Sequence, residues 1–178
     1  MDNIIFLDTE TTGFKEPRMI QLAYKTNGVS FESMYNPTRP IDEGATKVHG
    51  ITNEMVEDLQ EFDGSESKGN LRMLLDKKIL VAHNAIFDVK IIDIEGVEVS
   101  RVICTYKCCL NILNRANIKG NNKLQNLKEE FNLKVPENTK THDAMGDVLV
   151  LEQLFLYILD KMEGTFEEKI ERMIAVSN

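Results

Sequence analysis

Apolar and polar positions along the chain predict strands near the N-terminus, followed by strands that alternate with helices. Residues 4–7 are four consecutive large apolar residues, which indicates a strand buried on both faces. Two further apolar runs, residues 19–25 and 29–35, flank the dipeptide Asn27-Gly28, in which both residues accept positive φ. We therefore predict a hairpin at this dipeptide and an antiparallel arrangement of the first three strands.

The rest of the chain alternates between short apolar runs and helical periodicity. Residues 78–82 and 99–104 are predicted to be strands, and between them lies a helix that Asn84 would cap and Gly96 would end. Strands that alternate with helices after an opening meander indicate a mixed α/β sheet covered by helices. The other predicted helices span residues 52–59, 69–75, 105–113, 123–131, 143–162 and a short segment after Gly164.

Length and composition indicate a single globular domain. The chain has 178 residues, of which 42% are apolar, so it can bury a core of its own. Its apolar runs are short, and Asp2 stands where a targeting segment would be basic. We therefore expect a soluble, cytoplasmic protein with no membrane partner.

The three cysteines form an odd, clustered set. Cys104, Cys108 and Cys109 fit reduced thiols better than a disulfide framework. A zinc site made of Cys104, Cys108 and a distant histidine is one alternative. The same spacing is also that of one buried helix face, which needs no metal.

Charge is distributed unevenly along the chain. The formal net charge of −8 disfavours a nucleic-acid partner at first sight, because phosphates select for basic surfaces. Residues 42–76 contain nine acids and three basic residues, whereas residues 101–128 contain six basic residues and no acid. The basic segment is a candidate path for a nucleic-acid strand, and a solvated face without a ligand is the alternative.

Four acids follow or accompany abrupt changes of predicted structure. Asp8 and Glu10 come directly after the first strand, on the same face of an extended chain, and Gly13 lets the backbone turn away. Asp88 follows the strand of residues 78–82, and Asp147 lies in the first turns of the longest helix. Gly146 costs about 1 kcal/mol in a helix, which suggests close approach by another backbone or a ligand.

Four such carboxylates can bind metal ions if the fold brings them together. A bare Asp-x-Glu pair on its own is more often a solvated strand end. Together the four can bind two Mg²⁺ or Mn²⁺ ions about 4 Å apart, a separation suited to one scissile phosphate. Hydrolysis also needs a base for the attacking water, and histidine titrates near neutrality. His142, five residues before Asp147, is the best candidate among the three histidines.

These residues resemble the three motifs of the DEDDh (DnaQ-like) 3′-5′ exonucleases, a family of the ribonuclease H-like superfamily. The resemblance covers roughly residues 3 to 160. A further segment that is common in this family is matched by Val48-His49-Gly50-Ile51-Thr52. The three motifs are Asp8-x-Glu10 with Thr11-Thr12-Gly13, His83-Asn84-Ala85-x-Phe87-Asp88 and His142-Asp143-Ala144-x-x-Asp147.

The resemblance implies a fold and a role for each matched residue. The fold would be ribonuclease H-like, with a five-stranded mixed sheet of order 3-2-1-4-5 and helices on both sides. Residues 1–163 would be the DEDDh exonuclease domain and residues 164–178 a C-terminal helical tail, either a packing helix or a stub where related chains continue. Asp8, Glu10, Asp88 and Asp147 would bind two Mg²⁺ or Mn²⁺ ions, His142 would be the general base, and Thr9, Thr11, Thr12, Gly13, His49, Asn84 and Phe87 would contact the substrate.

The implied reaction is release of 5′-mononucleotides from single-stranded or frayed 3′ ends of DNA, with RNA as another substrate and a DNA polymerase as a candidate partner. The segment Ile103-Cys104-Thr105 lacks the Asp that many relatives carry before this Thr, which is similar to the exonuclease X subgroup. Two alternatives belong to other classes. An HD-type phosphohydrolase would use His49, His142-Asp143 and Asp147 but is all-helical, and a non-catalytic module would only bind nucleic-acid ends.

Overall fold

A mixed five-stranded sheet lies at the centre of the fold. The computed structural model describes residues 1–117, 121–137, 139 and 143–178, and within them the strand order is β3-β2-β1-β4-β5. The first three strands are antiparallel, whereas β4 runs parallel to both β1 and β5. The predicted α/β class, strand order and antiparallel opening are confirmed. The strands are β1 (Ile4–Thr11), β2 (Met19–Thr26), β3 (Val29–Met34), β4 (Ile79–Ala82) and β5 (Val102–Cys104).

Helices cover both faces of this sheet. The longest, α7, packs on β1 and β2, and α6 packs on α7. Within the described ranges the helices are α1 (Glu43–His49), α2 (Asn53–Val56), α3 (Glu66–Lys77), α4 (Ile86–Ile94), α5 (Thr105–Asn111), α6 (Leu124–Glu130), α7 (Ala144–Asp160) and α8 (Phe166–Ser177). No helix in these ranges is long and apolar enough to cross a membrane.

Strand β1 is longer than the apolar run that predicts it. The prediction covers residues 4–7, but β1 continues to Thr11, with Asp8 opposite Ala23 and Glu10 opposite Gln21 on β2. Polar residues stay in the strand because the ladder uses backbone groups, which every residue carries. Asp8 and Glu10 therefore lie within the strand, not after it.

Because the side chains of β1 alternate, its polar residues point to both faces of the sheet. Ile4 and Phe6 pack with α7, where the Phe6 and Phe155 rings meet edge to face with centroids 5.3 Å apart. Ile5 and Leu7 pack on the other face with α3 and α4. Since successive strand residues point to opposite faces, Asp8 and Glu10 continue toward α7, and Thr9 continues toward α4.

Three predicted boundaries are wrong for identifiable reasons. The third helix begins at Glu66 rather than Gly69, because the Ser65 hydroxyl caps it by accepting the Lys68 N–H at 3.2 Å. Strand β5 has only three residues, since its partner β4 pairs with it only from Leu80 to Ala82. Asn84 does not cap α4; it adopts a left-handed φ of 59°, and Ala85 holds the cap position.

The C-terminal helix α8 belongs to the same core as α7. Ile170 and Met173 are buried in the cluster that contains Phe6 and Phe155. The Ser177 hydroxyl also accepts the Cys104 N–H of β5 at 2.8 Å. Helix α8 thus packs as part of the molecule, while the division into residues 1–163 and 164–178 stays a prediction.

Candidate active site

Three carboxylates converge where β1 meets the start of α7. Oxygens of Asp8, Glu10 and Asp147 all lie within 4.8 Å of one another. Asp8 and Glu10 reach this point because they share the α7-facing side of β1. Asp147 reaches it from the first turn of α7, whose N-cap, Asp143, accepts the Gly146 N–H at 3.4 Å.

The fourth acid, Asp88, comes from α4 and lines the same cleft as Asp8 and Glu10. It is the third residue of α4 and is only 3% exposed. Its Oδ1 accepts hydrogen bonds from the Thr9 N–H at 3.1 Å and the Thr9 hydroxyl at 2.9 Å. Thr9 thus connects α4 to β1 between the two other acids of the strand, and it fixes the Asp88 carboxylate.

Burial and mutual repulsion disfavour the charged forms of these acids. Burial, followed by the charges of Asp147, Asp88 and Asp143, raises the pKa of Glu10 to about 8. Burial also raises the pKa of Asp8, and the nearby carboxylates add to the effect. For Asp88 burial raises the pKa, and the hydrogen bonds from Thr9 oppose it. A positive charge would therefore be strongly stabilised in this cluster.

Gln125 is a site residue that the sequence analysis missed. Its side-chain amide, on α6, donates a hydrogen bond to Oδ1 of Asp147. Leu124 and Leu127 anchor α6 in the core, so the amide is held beside the acid cluster. No motif marks this residue, because a half-buried glutamine on a short helix has no distinctive pattern.

A cleft of about 450 Å³ opens over the acids. Of the predicted substrate contacts, Thr9, Thr11, Gly13, His49, Asn84 and Phe87 line it, together with Asp8, Glu10 and Asp88. Thr12 lies elsewhere: it is 2% exposed, and its hydroxyl accepts the Arg18 N–H at 3.0 Å. Thr12 therefore holds the turn after β1 and does not face the cleft.

Two apolar residues of the cleft, Phe14 and Val48, were also not predicted. Phe14 is 91% exposed, and its ring meets that of Phe87 edge to face with centroids 6.2 Å apart. An exposed aromatic residue directly after the Asp-x-Glu motif is the signal that could have identified it. Such a rim can contact the faces of nucleic-acid bases.

Gly13 has a backbone conformation at the edge of this cleft that other residues rarely adopt. Its φ is 136°, and a Cβ there would also press against the Asp42 side chain. The Asp42 N–H also donates to the Thr12 carbonyl at 2.8 Å. The segment that begins α1 is thereby held against the end of β1, which brings His49 to the cleft.

The two histidines that the structure describes are neutral, and both ring nitrogens of each are hydrogen-bonded to other groups of the protein. Nδ1 of His49 accepts the Ile51 N–H at 3.0 Å, and its Nε2 donates to the Thr11 carbonyl at 3.3 Å. His83 lies between the Thr105 hydroxyl and the Asn122 carbonyl, and burial lowers its pKa to about 4. Neither ring has a nitrogen left for a water molecule. His142 lies outside the described residues.

The structure also tests the two other kinds of site that the sequence allows, an HD-type phosphohydrolase site and a zinc site. The HD-type phosphohydrolase alternative is wrong, because that class is all-helical and this chain is built on a sheet. A zinc site at Cys104 and Cys108 is disfavoured, since burial raises the pKa of Cys108 to about 12 and zinc binds thiolates. In the described part of the chain, only Asp8, Glu10 and Asp147 group closely enough for a metal ion.

Comparison with known proteins gives one family match and several relatives. The model of the exonuclease family, RNase_T, matches residues 5–155. The DNA polymerase III subunit epsilon of Haemophilus influenzae is 29% identical over 184 residues, which covers 93% of this chain and 70% of that protein. A DNA polymerase III subunit epsilon-like protein of Rhodobacter capsulatus is 27% identical over 92% of this chain, and the chain spans 25% of that protein.

A solved structure shares nearly the whole fold. It is that of Exonuclease X in complex with 5′ overhanging duplex DNA. The TM-score is 0.78 at 24% identity, and the match covers 98% of this chain and 99% of the other. The similarity includes α8, which lies beyond the residues matched by the family model.

Proposed function

This chain belongs to the exonuclease family, and from that membership we propose that it releases 5′-mononucleotides from single-stranded or frayed 3′ ends of DNA. The predicted family, the ribonuclease H-like fold and the enzyme class, a 3′-5′ exonuclease that hydrolyses phosphodiester bonds, are confirmed. The observation that carries the substrate proposal is the convergence of Asp8, Glu10 and Asp147 within 4.8 Å, beside an open cleft that Asp8 and Glu10 line.

Two Mg²⁺ or Mn²⁺ ions are the proposed cofactors, held by Asp8, Glu10, Asp147 and Asp88. The donor set fits them, because it consists only of carboxylate oxygens, which hard divalent cations prefer. The raised pKa values of Glu10 and Asp88 also indicate a site that lacks compensating positive charge. When bound, these ions would stabilise the charge that develops on the attacking and leaving oxygens of the scissile phosphate.

His142 is the proposed general base. In this role its imidazole would take the proton of the attacking water, and the family motif carries a histidine at this position. Both described histidines support the assignment indirectly, because their ring nitrogens are already used by Thr11, Ile51, Thr105 and Asn122. His142 is adjacent in sequence to Asp143, the N-cap of the helix that supplies Asp147.

The remaining cleft residues position the substrate. Thr9 and Thr11 line the cleft beside the acids, and Asn84 offers an exposed amide. The rings of Phe14 and Phe87 form an apolar rim on which the terminal base can pack. Such a cleft suits a single strand, whose bases are free to leave their stack.

DNA is the proposed nucleic acid because the relatives point to it. The matched relatives are named subunits of a DNA polymerase, and the solved neighbour holds duplex DNA with a 5′ overhang. A DNA polymerase is for the same reason a candidate partner. RNA is the second substrate to be tested.

A degradation assay tests the proposal. Matched DNA and RNA oligonucleotides with 3′ overhangs, labelled at the 5′ end, are incubated with Mg²⁺ and the products are separated by length. We expect a ladder that shortens from the 3′ end with release of 5′-mononucleotides, faster on DNA. Asp8→Asn should lower the rate at least a hundredfold, and the exposed Asp58→Asn should not change it.

The outcomes separate the proposal from its competitors. Internal fragments would contradict exonucleolysis, and faster loss of RNA would contradict the DNA preference. Binding of oligonucleotide ends without any shortening would favour the non-catalytic module. Full activity of Asp8→Asn would exclude the proposed site.

A further inference from the structure

A second cleft adjoins the catalytic cleft and shares part of its wall. It has a volume of about 310 Å³ and is lined by His83, Asn84, Tyr106, Asn122 and Lys123. His83 and Asn84 also line the catalytic cleft, so the two spaces meet at the turn between β4 and α4. The volume is at the lower end of the range for small-ligand pockets.

The charge of this second cleft is opposite to that of the first. Among the residues that the structure describes, no carboxylate lines it, and Lys123 is exposed. The ion pairs found among the described residues do not include Lys123. A phosphate placed here would meet an ammonium group instead of the acids that lie under the scissile bond.

Other basic residues of the segment 101–128 are already engaged by the protein. Arg101 pairs with Glu171 at 2.7 Å, and Arg115 pairs with Glu130 at 2.6 Å. Lys107 donates to the Ser177 carbonyl at 2.7 Å. Among the described residues of this segment the basic side chains therefore do not all face solvent freely, and Lys123 is the one of them that lines a cleft.

The wall of the second cleft is held rigid by hydrogen bonds. The half-buried Tyr106 ring meets the His83 ring edge to face, with centroids 5.9 Å apart, and its hydroxyl donates to Oδ1 of Asn117 at 2.8 Å. The Asn122 side chain accepts from Nε of Arg115 at 2.8 Å and donates to the Ala116 carbonyl at 3.0 Å. A fixed aromatic ring beside a lysine is the combination that single-strand binding sites use.

We propose that this second cleft binds the nucleotide on the 5′ side of the terminal one, with its base against the Tyr106 ring and its phosphate at Lys123. The inference rests on the proposed exonuclease function and extends it to the path of the strand. Because stacking on a ring accepts every base, the cleft selects for chain length and not for sequence.

Two substrates of different length test the inference. The 4-nitrophenyl ester of thymidine 5′-monophosphate has one nucleotide and can occupy only the catalytic cleft, whereas an oligothymidylate of about eight nucleotides spans both clefts. Tyr106→Ala and Lys123→Gln should each lower kcat/KM for the oligonucleotide roughly tenfold and leave that for the ester within about twofold. Lys123→Gln should also reduce the salt slope of oligonucleotide binding by about 0.7.

Matched variants separate binding from folding. Tyr106→Phe keeps the ring and loses only the hydrogen bond to Asn117, so it should retain most of the activity on the oligonucleotide. Lys90→Gln removes a lysine from a different cleft, that of Ile86 and Glu98, and should change neither substrate. Thermal unfolding of each variant checks that the fold is kept.

The possible outcomes distinguish failure of the second-cleft proposal from failure of the proposed exonuclease function. Equal losses on both substrates, or none on either, would overturn the role of the second cleft while the exonuclease function stands. A wild-type enzyme that cleaves neither substrate would instead overturn the proposed function. In that case a titration of the labelled oligonucleotide onto the Asp8→Asn protein still measures whether Tyr106 and Lys123 bind it.

Discussion

At the scale of single residues, the acids of the site oppose the stability of the fold. Asp88 is buried, Asp8 and Glu10 are half-buried, and burial raises the pKa of all three. The hydrogen bonds from Thr9 relieve Asp88 alone. Removing charge from Asp8 or Glu10 should therefore stabilise the metal-free protein, although it removes a proposed metal ligand.

The loss of stability caused by Glu10 can be measured as a dependence of Tm on pH. The folded pKa of Glu10, about 8, lies above the ordinary value of 4.5. Between these values the folded protein holds a proton that the unfolded chain has released, so stability falls as pH rises and levels off above the folded pKa. The Tm of the protein in EDTA should drop by several degrees from about pH 5 to about pH 8, and Glu10→Gln should drop less.

The exposed Glu57→Gln is the control for this measurement, because it removes an acid outside the cluster. Its Tm should follow that of the wild type at every pH. Identical pH profiles for Glu10→Gln and the wild type would contradict the raised pKa of Glu10.

At the scale of elements, apolar periodicity predicts the sheet well and the edges of its elements poorly. Residues 4–7 predict β1 because burial on both faces leaves an apolar run, but the polar half of the strand, up to Thr11, is invisible to that pattern. The start of α3 depends on one hydroxyl, that of Ser65, and the end of β5 depends on how far β4 extends. Local hydrogen bonds decide these boundaries.

For the candidate site, too, the sequence predicts some residues and misses others. The motifs name Asp8, Glu10, Asp88 and Asp147 as candidate acids, and the convergence of Asp8, Glu10 and Asp147 follows from the alternation of β1 and the position of α7. Gln125 and Tyr106 could not be predicted, because no pattern of polar residues marks the helices whose packing brings Gln125 to Asp147 and Tyr106 to the second cleft.

Helix α8 offers a prediction at this scale. Met173 is completely buried in the core shared with α7, so Met173→Ala should lower the free energy of unfolding by about 2–5 kcal/mol. Met73→Ala, at a position that is 62% exposed on α3, should change it by about 0.5 kcal/mol or less. Urea unfolding measures both, and equal effects would show that α8 is not part of the cooperative core.

At the scale of the whole molecule, this acidic protein has two adjoining clefts of opposite charge. The formal net charge is −8, and two divalent cations would halve it. In the proposed binding mode, the acids attract cations to the scissile bond, and Lys123 offers a positive charge where the strand continues. A strand can therefore bind although the surface as a whole repels it, and binding should weaken as salt rises.

Acids from β1 and α7 meet in this structure, and we propose that, together with Asp88 of α4, they hold divalent cations. Anomalous diffraction from a crystal soaked in Mn²⁺ tests it most directly. We predict manganese peaks in contact with the carboxylates of Asp8, Glu10 and Asp147 and no such peaks in a crystal of Asp8→Asn treated in the same way. A soaked wild-type crystal without manganese at these carboxylates would contradict the account.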